Sequence, residues 1–504
     1  MLSCLSHDSS SLPLPVEAFP MPFLDKTQPR AARRAISGAL SLFLSACAVG
    51  PNYQPPNTTL TEFHNAAAVT ARATQTAAPP LDSWWTGFDD PVLDILIERA
   101  LAQNLDLSAS LARVQQARAA AQAAGAQLLP TLNATAQAQA LRQSVNTTYG
   151  EIAQTFPGYT RDQHDYQAGL AASWEIDLAG GLRRAHEAAR AEAQAAEASL
   201  AGERITVAAD VADAYFQVRG NQSRIAVVQQ QIDVDAHLLD LLRQLRAAGL
   251  ANDRELSQAD AVLQQAQASL PPLRIALVGQ LNRLDVLLGA QPGTYATELV
   301  ATSREIARPA ITNIDGPTDF LRRRPDVIAA ERALAAANAD IGVALADYYP
   351  KLSLSGLLGF ESDSAHHLFK SASFQPVGTG AVTWRIFDFG KVDAEVKQAR
   401  GAHAEALAQY RLSVLRAAQD VEDAFITLTQ TELRTSQLQA EVQSLQHARD
   451  LSQQAFTAGS IPLTDVLDAD RQLLVAQDDL ALNRADAARA AVRSFRALGG
   501  GWTP

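Results

Sequence analysis

Cysteine is nearly absent: Cys4 and Cys47 are the only two in 504 residues, too few for a disulfide framework. Cys47 has no second Cys or His at metal-ligand spacing. No stretch approaches the roughly 20 apolar residues of a membrane-spanning helix, so membrane contact has to take another form. Positive charge is in deficit. With a net charge of −12, no basic face is available to offset the phosphates of a nucleic acid. A Gly-rich phosphate cradle, a nucleophile elbow and an H-E-x-x-H stretch are all missing. His366-His367 hints at a metal, but the pair has no obvious carboxylate or Cys partner and reads as a solvated loop between strands.

The N-terminus is more informative. Arg30, Arg33 and Arg34 precede a short apolar run, Ala35 to Leu44, which meets Ser45-Ala46-Cys47. That is a basic region, an apolar region and small residues before a cleavage point, so residues 1–46 are expected to form a signal segment. Residues 1–20 look unlike a leader, and a start at Met21 gives a more ordinary one. Leu44-Ser45-Ala46-Cys47 resembles the bacterial lipobox, in which the Cys carries lipid; an ordinary secretory signal with an incidental Cys is the alternative. On the lipobox reading Cys47 is the lipidation site and opens an acylated segment, 47–89. By resemblance to other lipoproteins, Ala48 favours sorting to the outer membrane.

Beyond residue 89 the chain repeats itself. "ASWEIDLAGGLRRA" and "VTWRIFDFGKVDAE" place Trp174 and Trp384 210 residues apart. The same offset joins DVADAYF (from Asp210) to DVEDAFI (from Asp420), Gly249 to Gly459, Asp260 to Asp470, and Leu288-Gly289 to Leu498-Gly499. Upstream the offset is 220, pairing Asp106 with Asp326 and Pro130 with Pro350, so the first copy has a longer loop between Pro130 and Trp174. The register divides the chain into copy 1 (90–289), a linker (290–318), copy 2 (319–499) and a tail (500–504).

Each copy reads helix, two strands, very long helix, return helix. Asp90-Pro91 is a cap followed by Pro at the first helical position, predicting one helix to about Leu129; its counterpart opens near Pro325. Leu182 to Ala248 and Lys391 to Ala458 contain no proline, and such helices are about 100 Å long. Pro271-Pro272 is expected to interrupt the first return helix. In the strands, Leu132, Ala134, Ala136, Ala138 and Ala140 alternate with Asn133, Thr135, Gln137 and Gln139. Leu352, Leu354, Leu358 and Phe360 share a face, as do Leu170, Ala172, Trp174 and Ile176, and Val382, Trp384 and Ile386. Alternation over about ten residues suits a transmembrane barrel strand; for any single strand, a half-buried strand of a soluble sheet is the better reading, and four such strands with an exported N-terminus shift the balance. Four strands cannot close alone, and open edges are not tolerated in lipid. Three copies give twelve strands, enough for a lumen, with Ala-rich faces at Ala185 to Ala198 and Ala399 to Ala408 permitting close helix approach.

This plan, with WWTGFDDPVLDILIERAL near Trp84 and LRRRPDVIAAERALAAANADIG near Arg322, resembles the outer-membrane efflux (TolC-like) family, in its lipoprotein branch serving resistance-nodulation-division pumps. The resemblance runs from Cys47 to Trp502. It implies a mainly α fold with a β-barrel: a homotrimer sharing a twelve-stranded barrel in the outer membrane of a Gram-negative bacterium, continued by an α-helical periplasmic tunnel. It also implies passive export of solutes delivered by an inner-membrane pump and a periplasmic adaptor, with no cofactor beyond the lipid on Cys47. A conduit for secreted polypeptides is the alternative within the fold; an enzyme or a coiled-coil adaptor are the rivals outside it. The run Arg322-Arg323-Arg324 is read as structural, pairing with carboxylates because positive charge beside a helix N-terminus is unfavourable alone.

The same resemblance assigns the helix tips. Ala248-Gly249-Leu250 and Ala458-Gly459-Ser460 are similar to the family's adaptor-docking turns, with Ala in place of Val in both and Ser in place of Thr. Asp465 and Asp468 match positions forming an acidic ring at the closed entrance, and Glu255 corresponds to Asp465 in copy 1. Phe456 and Ile461 stand where some members carry Tyr and Arg, so a polar latch between those two side chains is absent. Asp470, with its equivalent Asp260, is expected to be a shared helix feature.

Overall fold

The computed structural model describes residues 48–57, 60–72, 77–249, 251–299, 307–311 and 317–503, apart from the side chains of 317–319. The expected leader, Cys47 and Leu250 lie outside the described residues. Helix α1 (Ala66–Thr70) and a 3-10 helix (Leu81–Phe88) precede copy 1. Copy 1 contains α2 (Pro91–Gln103), α3 (Leu105–Ala126), β1 (Thr131–Arg142), α4 (Thr148–Ala153), β2 (Asp162–Ile176), α5 (Gly181–Ala247) and α6 (Asp253–Leu287). Copy 2 contains α7 (Pro317–Arg323), α8 (Pro325–Ala346), β3 (Lys351–Ser362), β4 (Phe374–Thr383), α9 (Lys391–Thr457) and α10 (Leu463–Ala497). The two long helices have 67 residues each and the two return helices 35. Among the described residues no helix is long and apolar enough to cross a membrane.

Two helical expectations need correction. The single helix predicted from Asp90 to about Leu129 is broken at Asn104, whose extended backbone ends α2 while its side chain accepts from Leu107 N and caps α3. Asn104 Nδ2 also donates to Leu287 O at 2.9 Å, tying the break to the end of α6. Copy 2 repeats this device with different chemistry: Arg324 separates α7 from α8 and donates to Ala497 O at 2.9 Å. The recurring Leu-Gly pairs belong to the same joint. A Cβ on Gly289 (φ +70°) would lie 2.6 Å from Gln103 O, and one on Gly499 (φ +74°) 2.5 Å from Arg323 O. Only glycine allows both that backbone and that approach. The second correction concerns Pro271-Pro272, which lie inside a continuous α6. The missing N–H groups weaken the ladder there, but Leu270 and Leu273 pack with Val228 and Ile232 of α5 and hold both halves of the helix in line.

The strands form one antiparallel sheet in the order β1-β2-β3-β4. Its register aligns the apolar positions across strands: Ala134 with Leu170 with Leu358, and Ile176 with Leu352 with Val382. Thr131, Ser173, Ser355 and Thr379 make a polar row on the opposite face. Trp384 and Ile386 lie beyond the ladder, because pairing ends at Lys351 with Thr383 and Pro350 has no N–H to extend it. Both tryptophans anchor sheet to helix in the same way. Trp174 Nε1 donates to Leu128 O at 2.9 Å, and Trp384 Nε1 to Tyr348 O at 3.0 Å. The outer edges of β1 and β4 pair with no described strand.

Packing concentrates where the two copies meet beside the helix breaks. Trp84 stacks on Phe495 at 5.5 Å, and Phe88 lies 4.9 Å from Phe216. Tyr215 donates to the capping Asp90 at 2.6 Å; burial, together with the charge of that acceptor, pushes the phenol well above its usual range. The chain before α1 runs along this surface: Val49 N donates to Ala179 O and Tyr53 to Glu331, while Arg72, just after α1, reaches Glu432 through its Nε at 2.7 Å.

Within the triple-arginine run, Arg324 makes the expected pairing with carboxylates. Arg324 is buried and forks onto Asp326, with both contacts at 2.8 Å, while also reaching Asp420 at 2.8 Å. Burial opposes ionisation of Asp326, yet Arg324 holds its carboxyl below the usual range. Because these contacts are charge-assisted and bidentate, Arg324→Ala should cost about 2–3 kcal/mol. Arg324→Lys should recover less than half of that, since an ammonium cannot reproduce the fork. Thermal unfolding of the detergent-solubilised protein checks both; equal melting of all three forms would remove this joint from the stabilising set.

Candidate functional site: the helix tips

The ends of the 67-residue helices lie about 100 Å from the sheet. Each ends in a glycine in left-handed geometry, Gly249 at φ +77° and Gly459 at φ +71°. Gly459 N donates to Phe456 O at 2.8 Å and Ser460 N to Ala455 O at 2.9 Å, satisfying the last carbonyls of α9. Among the described residues nothing lies within 4 Å of a Cβ built on either glycine, so backbone geometry rather than crowding selects the residue. Both tips, with Ser460, are solvent-exposed.

The three acidic candidates are not equivalent. Glu255 closes a capping box: Asn252 Oδ1 accepts from Glu255 N at 3.0 Å, and Glu255 Oε2 accepts from Asn252 N at 3.2 Å. Asp465 sits in the first turn of α10, where Pro462 occupies the cap position and no side chain caps. Its carboxylate meets the Thr464 hydroxyl at 3.4 Å. Asp468 is exposed and accepts from Arg471 and Gln472, each at 2.7 Å. Those two donors, Arg471 foremost, hold its carboxyl below the usual range. Among the described residues no hydrogen bond or ion pair joins Glu255 to either aspartate. Phe456, in place of a polar latch residue, packs beside Leu463 and Leu467.

Asp470 departs from expectation. It is 2 % exposed and accepts from Arg449 at 2.8 Å, whereas its equivalent Asp260 is exposed, so the pair is not a shared feature. Sequence reasoning also passed over Asp235, likewise 2 % exposed. A signal was present: Val228, Ile232, Asp235, Leu239 and Leu242 follow alternating steps of four and three, which puts a carboxylate in an apolar seam.

A small sheet with lipid-type alternation and two open edges, carried on helical hairpins whose tips are exposed, defines the barrel-and-tunnel class of outer-membrane channel. Known proteins agree with that assignment. Residues 96–290 and 316–500 match the family described as "Outer membrane efflux protein", and the chain belongs to that family. It is 33% identical to the pyoverdine export outer membrane protein OpmQ of Pseudomonas aeruginosa, over 84% of this chain and 88% of that one. It is 30% identical to outer membrane protein OprJ of the same species, over 92% and 95%. The solved structure of the outer-membrane channel OprN superposes with a TM-score of 0.81 at 33% identity, covering 91% of this chain and all of that one. The protein is thus an outer-membrane efflux channel with a tunnel projecting into the periplasm.

Because the tip glycines are selected by φ alone, Gly249→Ala and Gly459→Ala should each destabilise the local helix end by about 1 kcal/mol. Hydrogen exchange should show faster turnover in the last turn of α5 or α9 with an unchanged global melt. Unaltered local exchange would contradict the left-handed geometry.

Proposed function

We propose that three copies of this chain form the outer-membrane duct of a tripartite pump. An inner-membrane transporter of the resistance-nodulation-division type delivers small toxic solutes, and a periplasmic adaptor joins the two. The observation that carries this reading is the exposed pair of left-handed tip turns at the far end of the long helices, at Gly249 and at Gly459-Ser460. An adaptor's helical hairpins dock on these turns, with Leu250 completing the first. The relatives' names support export, of pyoverdine in the case of OpmQ.

Asp465 and Asp468 form the entrance ring. Two carboxylates per chain make six in a trimer, a ring that favours cations and repels anions at a constriction. Arg471 keeps Asp468 ionised to lower pH than an ordinary carboxylate. Glu255 contributes at the rim from copy 1, within the limits its capping role sets. Cys47 carries the lipid anchor. The next residue, Ala48, approaches Gly180 at the sheet end of α5, which suits an anchor in the adjacent leaflet.

The test is electrical and biochemical. Asp465→Ala with Asp468→Ala should raise single-channel conductance and lower the cation-to-anion permeability ratio by roughly twofold or more in planar bilayers. A photo-crosslinker at Ser460 should capture an adaptor in intact cells. Unchanged current and selectivity would remove the ring, and capture of a polypeptide exporter's adaptor in place of a drug-pump adaptor would reassign the cargo.

A further inference from the structure

Above the tips, the seam between the two helical hairpins contains charge where it should be apolar. Asp235 of α5 lies fourteen residues before Gly249, and Asp470 of α10 eleven residues after Gly459, both about 15–20 Å from the tips. Val228, Ile232, Leu239 and Leu242 from α5 surround the site together with Leu463 and Leu467 from α10. Ala259, Leu263 and Ala266 of α6 join the same cluster and carry no charge. Arg449 of α9 is shared between Asp470 at 2.8 Å and Asp450 at 3.3 Å, so one guanidinium faces two carboxylates and offsets the charge of Asp470 only in part. Among the described residues Asp235 pairs with no cation. Its Oδ1 accepts from Gln231 Nε2 at 2.8 Å, and its buried Oδ2 has no partner among those residues.

An ionised carboxylate in this seam leaves one uncompensated buried negative charge beside that of Asp470. A proton removes both the desolvation cost and the repulsion. We propose that Asp235 and Asp470 form a proton-operated catch between the hairpins: protonated Asp235 lets the seam close above the tunnel mouth, and ionised Asp235 repels Asp470 and loosens it. The consequence for transport rests on the reading of the tips as the mouth; the catch itself does not.

Proton affinity sets the direction. Burial first, with Asp470 opposing and Gln231 assisting ionisation, raises the Asp235 carboxyl from 3.8 to about 6 in the closed seam. A group that binds its proton more tightly in the closed state favours that state at low pH. The closed seam therefore carries no charge penalty below the ordinary carboxylate value. The penalty grows as pH rises and is complete above about pH 6. A difference of about two pH units allows the loosened-to-closed ratio to rise by up to about 100-fold across that window.

Spin labels at Leu241→Cys on α5 and Val475→Cys on α10, both exposed positions, read the seam in the full-length channel by pulsed dipolar spectroscopy. Between about pH 4 and pH 7 the distance distribution should broaden and lengthen in the wild-type background. With Asp235→Asn, which keeps the shape without the charge, it should stay narrow throughout, as it should with Asp235→Leu, which restores the apolar seam. An Asn variant with the wild-type pH response would overturn the catch. Conductance recorded over the same range separates the two readings. If the labels respond while the current does not, the catch stands and the position of the mouth is what fails.

Discussion

A β-strand edge cannot stand unpaired in hydrocarbon, because each free N–H and C=O there costs several kcal/mol. The chain supplies four strands whose inner ladders are complete and whose outer edges, on β1 and β4, are open. Closure has to come from other copies, and twelve strands enclose a lumen where eight would fill with side chains. That requirement explains the exposure of β1 and β4 in the single chain. It also explains the Ala399 to Ala408 face of α9, which stays largely uncovered, whereas Ala188 and Ala191 of α5 pack against Ala335, Ala336 and Ala339 of α8.

Duplication supplies the plan, and divergence within it supplies the working parts. The joint between the broken helix and the return helix is kept in both copies, with the same glycine and an equivalent carbonyl acceptor. Asn104 makes it with an amide, and Arg324 with a guanidinium that also recruits Asp326 and Asp420. Nearer the tips the copies part company. Copy 1 opens its return helix with a capping box, and copy 2 with Pro462 and no side-chain cap. A carboxylate that serves the backbone in one copy, Glu255, is thereby matched in the other by Asp465, which is not committed to capping.

Much of the fold is legible in the sequence. Period-two alternation marked the strands, the proline-free runs marked the long helices, and equal offsets marked the duplication, because each is a local consequence of backbone geometry. The misses share one cause. The break at Asn104, the unbroken α6 across Pro271-Pro272 and the early end of β4 were each decided by a partner distant in sequence: the end of α6, the face of α5, and Pro350.

The sequence by itself determined the elements, their order, the turns at Gly249 and Gly459, and the family. Tertiary structure decided what each acid does. Asp260 and Asp470 hold equivalent positions, yet one meets solvent and the other Arg449 inside a seam. The spacing of Asp235 placed it in an apolar seam, but only the packed structure, with Leu463 and Leu467 of the opposing hairpin closing that seam, left one of its oxygens without a partner among the described residues. Burial depends on which surface arrives from elsewhere in the chain, and a carboxylate's proton affinity depends on burial.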